Sequence, residues 1–158
     1  MSTEREIPEY AKPALYVGAL ILSFLAAILT FVSEFGWWQE GYSWGYDFAL
    51  YGQFVPWYGK LVLVLLGLGF LCVAFLALQQ LYPILKVTDE VHERLGKLGF
   101  LLTIGMVGLT ILVTIIFAIM ANSAFDWDLG TSFYGSIFGG LLSALFFWLA
   151  RRIQTPAK

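Results

Sequence analysis

The sequence predicts an all-α membrane protein, a four-helix transmembrane bundle, to which the outer loops can add a small extracellular β-sheet. Three observations carry this. Four apolar runs, Ala14–Ser33, Leu61–Leu85, Leu98–Ala121 and Thr131–Ala150, contain no Asp, Glu, Lys, Arg or His. Each has about 20 residues or more, enough for a helix to cross ~30 Å of hydrocarbon. Hydrocarbon offers no hydrogen-bond partners, so such spans satisfy their own backbones as helices. Second, eight of the nine Lys and Arg fall on one side of these spans. Third, aromatic residues alternate with small or acidic ones in the longest outer loop.

The four spans define one membrane domain, residues 1–158. At 13% charged residues, about half the usual share, the chain leaves no segment that reads as a soluble domain. The first run is read as a retained helix. It is too long for the apolar core of a signal peptide, and Glu4, Glu6 and Glu9 spoil the basic segment that would precede one. Arg5 and Lys12, then Lys86, Arg94 and Lys97, then Arg151, Arg152 and Lys158 mark the inner side, against Lys60 alone outside. The positive-inside rule places both termini and the middle loop in the cytoplasm of a cell-membrane protein. The outer side keeps Glu34, Glu40, Asp47, Asp126 and Asp128, a formal charge of −4 against +2 inside.

Pro83 is expected to kink or end the second span, since it lacks an N–H and crowds the preceding turn. The middle loop reads as a helix that extends the third span inward. Thr88 is its expected side-chain cap, and Asp89 and Glu90 suit its first turn. Glu90–Arg94 and Glu93–Lys97 are i,i+4 pairs in the favourable order. His92 reads as part of a solvated helix face. Cys72, the sole cysteine, lies in mid-span, so no intramolecular disulfide can form. It reads as a small packing residue.

The loop between the first two spans carries Trp37, Trp38, Tyr42, Trp44, Tyr46, Phe48, Trp57 and Tyr58. Trp and Tyr anchor helices at headgroup level, which accounts for Trp57, Tyr58 and Trp37. It does not account for Tyr42, Trp44, Tyr46 and Phe48 at every second position, which is a strand pattern. A strand needs a partner. Phe35–Gln39 can pair back through a turn near Gly41, and Phe125 and Trp127 in the second outer loop can add an edge. Two readings stand at this point, a small outer sheet and an aromatic belt without strands. If the sheet forms, Trp38 or Trp44 is expected to pack with Phe125 and Trp127 beside Phe133 and Tyr134.

Helices in lipid pack through small residues and polar contacts. In the fourth span, Ser132, Ser136, Gly140 and Ala144 form one row, and Gly135, Gly139 and Ser143 the adjacent one. Ala19, Ser23 and Ala27 form a stripe on the first span. Gly99, Gly105, Gly108, Thr110, Thr114 and Ala118 supply small residues to the third. These stripes read as internal packing before an oligomer face. Gln79 and Gln80, the strongest polar groups within the spans, read as caps of helices or bridges between them.

Little reaction chemistry is visible. The spans contain no carboxylate or His for a proton relay. One His in a loop excludes bis-His haem ligation, no Cys/His cluster suits zinc, and no nucleophile has a base partner. No cofactor, nucleic-acid partner or enzyme activity is expected.

Leu129-Gly130-Thr131-Ser132-Phe133-Tyr134-Gly135, followed by Gly139-Gly140-Leu141-Leu142, resembles the Gly-x-Ser-Phe-Tyr opening of the last helix in the claudin-like tetraspan superfamily. Trp44-Gly45-Tyr46 is faintly similar to the first-loop motif of that family. The resemblance implies an outer β-sheet and a role in adhesion, self-assembly or support of other proteins. The chain departs from the family in lacking its first-loop cysteine pair and in having a shorter first loop. The expected partners are the lipid bilayer and other membrane proteins or copies of itself, engaged through Trp37, Trp38, Tyr42, Trp44, Tyr46, Phe48, Phe125 and Trp127. Three function classes stay open here: a self-associating adhesion protein, an accessory subunit of a larger membrane complex, and a small oligomeric pore or transporter.

Overall fold

Each apolar run becomes one helix, and the two loops at one end contribute a sheet. The structure is a computed structural model and describes residues 10–39, 45–122 and 126–153. Helix α1 spans Ala11–Val32, α2 Trp57–Leu81, α3 Asp89–Met120 and α4 Thr131–Arg152. Strands β1 (Gly36–Gln39) and β2 (Tyr46–Phe48) lie between α1 and α2, and β3 (Asp126–Leu129) between α3 and α4. All four helices are long and apolar enough to cross a membrane. The main helix contacts join α1 to α2 and α4, and α3 to the same two. The helices therefore stand in a ring of four, with α1 and α3 on one diagonal.

The second span is displaced from its expected bounds. It begins at Trp57 rather than Leu61 and stops at Leu81 rather than Leu85. The residue before a proline is pushed out of helical geometry, and Tyr82, which precedes Pro83, is extended at φ −129°, ψ 110°. Gln79 then holds the departing chain. Its side-chain amide donates to the Leu85 carbonyl at 2.9 Å and accepts from the Leu85 N–H at 3.1 Å.

Helix α3 does extend past the apolar run, starting at Asp89. Thr88 occupies the cap position, but its side chain makes no capping hydrogen bond, which corrects the expected role. Its carbonyl still accepts from the His92 N–H at 2.9 Å. Both expected ion pairs form, Arg94–Glu90 at 2.5 Å and Lys97–Glu93 at 2.8 Å, on exposed side chains. Exposed pairs of this kind add little to stability. Helix α4 continues past Ala150, so that Arg151 and Arg152 occupy its last turn, where cations oppose the helix dipole.

The sheet is antiparallel in the order β2-β1-β3. The alternating pattern thus marks strands rather than an aromatic belt alone. The part of it that contains Tyr42 and Trp44, the turn near Gly41, and Phe125 lie outside the described residues. One apolar core, which includes Phe35, Trp38, Phe48, Phe70, Val113 and Phe117, joins the sheet to the bundle. A second, around Tyr16, Val73, Leu76 and Phe147, fills the bundle towards its other end.

Candidate functional site

Register decides which aromatic residues a partner can reach. Gly36 pairs with Phe48 and Leu129, and Trp38 with Tyr46 and Trp127. Side chains alternate across a strand, so these two rows share the face turned to the helices. The opposite face carries the row Asp47–Trp37–Asp128 and the pair Gln39–Asp126.

The inner face closes on Phe117 of α3. Its ring centroid lies 5.6 Å from Phe48, 5.8 Å from Trp127 and 6.3 Å from Trp38. Phe35 sits beside it in the layer, 5.7 Å from Phe133 and 6.1 Å from Phe48. A Cβ on residue 36 would fall 2.6 Å from the Phe117 ring, so a glycine is required there. The main chain secures the same corner. The Phe35 N–H donates to the Phe48 carbonyl at 2.8 Å, the Gly130 N–H to Phe35 at 2.8 Å and the Ser132 N–H to Glu34 at 3.1 Å. The expected packing of Trp38, Trp127 and Phe133 over the helix ends is therefore present, but it is organised by Phe117, which the sequence does not mark.

This geometry narrows the expected contact set. Trp38 is 4% exposed and Phe48 0%, so both serve the inner layer and neither offers a surface. Tyr46 is half-buried between Trp38 at 5.5 Å and Phe54 at 4.5 Å. Trp37 is half-buried on the outer face, and Trp127 is 46% exposed at the β3 edge. Tyr42, Trp44 and Phe125 lie outside the described residues. Tyr51 and Phe54, outer-loop aromatics left out of the expected contact set, are exposed in the connection from β2 to α2. Burial, then the neighbouring Asp47 and Glu34 carboxylates, raise the Tyr51 hydroxyl above its ordinary pKa. The outer surface is thus aromatic and acidic together.

The small residues of α4 do face the bundle interior. Ser132, Ser136, Gly139 and Gly140 are buried, and Gly135 is half-buried. A Cβ on residue 139 would meet Ala26 Cβ and the Leu22 carbonyl, both at 3.1 Å. One on residue 135 would press on Leu29 at 2.5 Å, and one on 140 on Val107 at 2.7 Å. Close approach lets hydroxyls bridge the seam: Thr30 Oγ1 lies 3.3 Å from Ser136 Oγ, and Ser143 donates to the Ala19 carbonyl at 3.3 Å. On α3 the expectation fails in part. Gly99 receives Phe147 and Thr110 is buried, but Gly105 and Gly108 meet nothing within 4 Å and Ala118 is exposed. A helix with only two neighbours leaves its outer face bare, whatever the size of the side chains there.

At the end opposite the sheet, all four helices surround a polar cavity of about 460 Å³. Lys12 and Tyr16 enter from α1, Gln80 from α2, and Arg151 from α4. Helix α3 supplies Asp89, His92, Glu93 and Gly96. The Gln80 side chain donates to the His92 carbonyl at 2.9 Å, joining α2 to α3 beside the opening. Gln80 thus bridges two helices, whereas Gln79 caps the end of its own through Leu85. His92 is corrected from a freely solvated residue to a half-buried one on the cavity wall. Among the described residues, no group of three or more His, Cys, Asp or Glu is placed to hold a metal ion.

No protein-family model, curated protein or solved structure matches this chain.

Proposed function

We propose that this chain is a non-enzymatic, multi-pass protein of the cell membrane that acts by contact, as an accessory subunit seated against a different membrane protein. Its termini and middle loop face the cytoplasm, and the outer face of its sheet receives a basic segment of the partner. The observation that carries this is the row Asp47–Trp37–Asp128. Trp37 stands in the middle strand, on the face turned away from the helices, and the inner aromatic layer does not use it. A Trp held on a rigid strand is the kind of side chain that anchors protein interfaces. Carboxylates on both neighbouring strands favour a Lys or Arg approaching that indole, by ion pairing and by attraction to the ring face.

The same charge weighs against self-adhesion through this surface, the role a claudin-like resemblance implies. Two copies meeting face to face would set Asp47, Asp126 and Asp128 against their own kind, and like charges across an interface are costly.

A photo-crosslinking amino acid at position 37, activated in native membranes, tests the reading. The expected product joins residue 37 to a Lys- or Arg-bearing peptide of another membrane protein, and charge reversal at Asp47 and Asp128 diminishes it. A product joining two copies of this chain, or adducts with lipid alone, overturns it.

A further inference from the structure

We infer that the connection from β2 to α2, residues 49–56, together with Trp57 and Tyr58 is a membrane-surface anchor. It lies in the lipid headgroup layer at the sheet end and ties the β2 edge of the sheet to the bilayer. The row Asp47–Trp37–Asp128 stays clear of the lipid, so the anchor does not depend on the partner proposed for that row.

Between Asp47 and Lys60 the chain carries no charge, yet Tyr51, Phe54, Trp57 and Tyr58 are all exposed. Phe54 is 64% exposed and Trp57 77%. A contiguous exposed apolar patch of this kind marks a contact with a membrane or another protein. The connection does not owe this exposure to looseness. Ala49 and Val55 are buried on either side of the turn. The Gly52 N–H donates to the Ala49 carbonyl at 3.0 Å, and a Cβ on residue 52 would run into the Asp47 carbonyl. The Phe54 ring stands edge-on to Tyr46 at 4.5 Å. The exposed rings are therefore presented by a fixed turn.

Two observations choose lipid as the occupant. The first is continuity. Trp57 opens α2, and exposed Leu61, Leu65, Leu68 and Phe75 follow it at helical spacing down one face. That face of a span meets hydrocarbon, so its first residue meets the layer just above, where Trp and Tyr are favoured. The second is charge. Lys60 is the only Lys or Arg between Lys12 and Lys86, and none occurs between Lys97 and Arg151. The one cation at the sheet end thus stands beside the aromatic patch, where a flexible ammonium reaches lipid phosphate. The carboxylates lie on the outer face of the sheet instead, and phosphates repel them. Depth has a lower bound as well. Residues 49–56 belong to no helix or strand, and irregular backbone is not tolerated against hydrocarbon. At headgroup depth the exposed Gln53 still meets water.

The test uses the full chain in nanodiscs, in a Cys72→Ser background, with a fluorophore on one introduced cysteine at a time. Tyr51→Cys and Phe54→Cys report the connection. Asp126→Cys, at the far end of the sheet, reports water, and Leu65→Cys reports hydrocarbon. Lipid with a nitroxide on its headgroup is expected to quench positions 51 and 54 more than lipid with a nitroxide near the chain end. The chain-end nitroxide is expected to quench position 65, and neither to quench position 126. Quenching at 51 and 54 no greater than at 126 overturns the inference, and so does stronger quenching there by the chain-end nitroxide. Adding Trp57→Gln is expected to lower headgroup quenching at 51 with the melting temperature unchanged, since the indole is exposed. Unchanged quenching in that variant overturns the anchoring role. A photo-crosslinking amino acid at position 54 in native membranes is expected to yield lipid adducts, and a protein adduct overturns lipid as the occupant. Position 37 is expected to yield the opposite product, so the two readings fail separately.

Discussion

At the sheet end, rings from all three strands converge on Phe117 of α3, and glycine at position 36 lets the strand lie directly against that ring. At the opposite end the helix termini stand apart, and polar side chains from all four surround an open volume. The first end has spent Trp38, Phe48 and Phe117 on closure and turns an acidic face with Trp37 at its centre to the surroundings. The second gathers charged and polar side chains around a hollow. An apolar layer with no gap determines one shape, whereas polar groups around a gap do not.

The sharpest way to break this comparison is to ask whether the ends face different compartments. In a Cys72→Ser background, Gln53→Cys beside the sheet is expected to react fully with an impermeant thiol reagent added to intact cells, and Thr88→Cys at the other end not at all. Equal labelling of the two positions would remove the basis for an outer sheet. Next in size is Phe117→Ala. Emptying a fully buried aromatic site costs about 3–5 kcal/mol. We expect loss of protease protection for 45–56 and 126–130, with the helices retained by circular dichroism. Protection equal to the parent chain would mean that the sheet is held by its main-chain bonds alone.

Gln79→Leu probes the other end. It deletes both contacts to Leu85, each worth about 1 kcal/mol. Faster amide exchange over 82–88 is expected, with the sheet unaffected, and any change in sheet protection would show that the two ends are coupled. The smallest effect belongs to Ser132→Ala. Among the described residues the Ser132 hydroxyl is buried without a partner, so its removal sacrifices no hydrogen bond there. A change in melting free energy within about 0.5 kcal/mol, or a slight gain, is expected. A loss of several times that would reveal a bridging water at the α4 start.

The spans were legible in sequence because the constraint behind them is one-dimensional. A chain must stay apolar for long enough to cross, and charge marks where it stops. The sheet was legible for a related reason: Tyr46, Asp47 and Phe48 alternate with the pleat, and Trp37 and Trp38 alternate opposite them. Phe117 was not legible. It sits in a span among Ile, Ala and Met, and nothing local separates a ring that ends up beneath a sheet from one that faces lipid. The same limit explains Gly105 and Gly108, which share the spacing of true packing glycines but fall on the open side of α3. The cavity was invisible because Lys12, Gln80, Asp89 and Arg151 come from four helices, and each alone reads as an ordinary residue at a membrane boundary.

The strand order has a consequence in time. β1 is the middle strand, flanked by β2 from its own loop and by β3 from residues 126–129. As the chain is made and inserted, the first hairpin can form once residues 36–48 have emerged, but β1 then carries an unpaired edge until α3 has crossed and β3 arrives. A bare edge invites pairing with foreign strands, and a pairing that distant in sequence is slow to form. Completion of the sheet therefore reports that the third crossing has succeeded, and a protein stalled before it would display the open edge as its distinguishing mark.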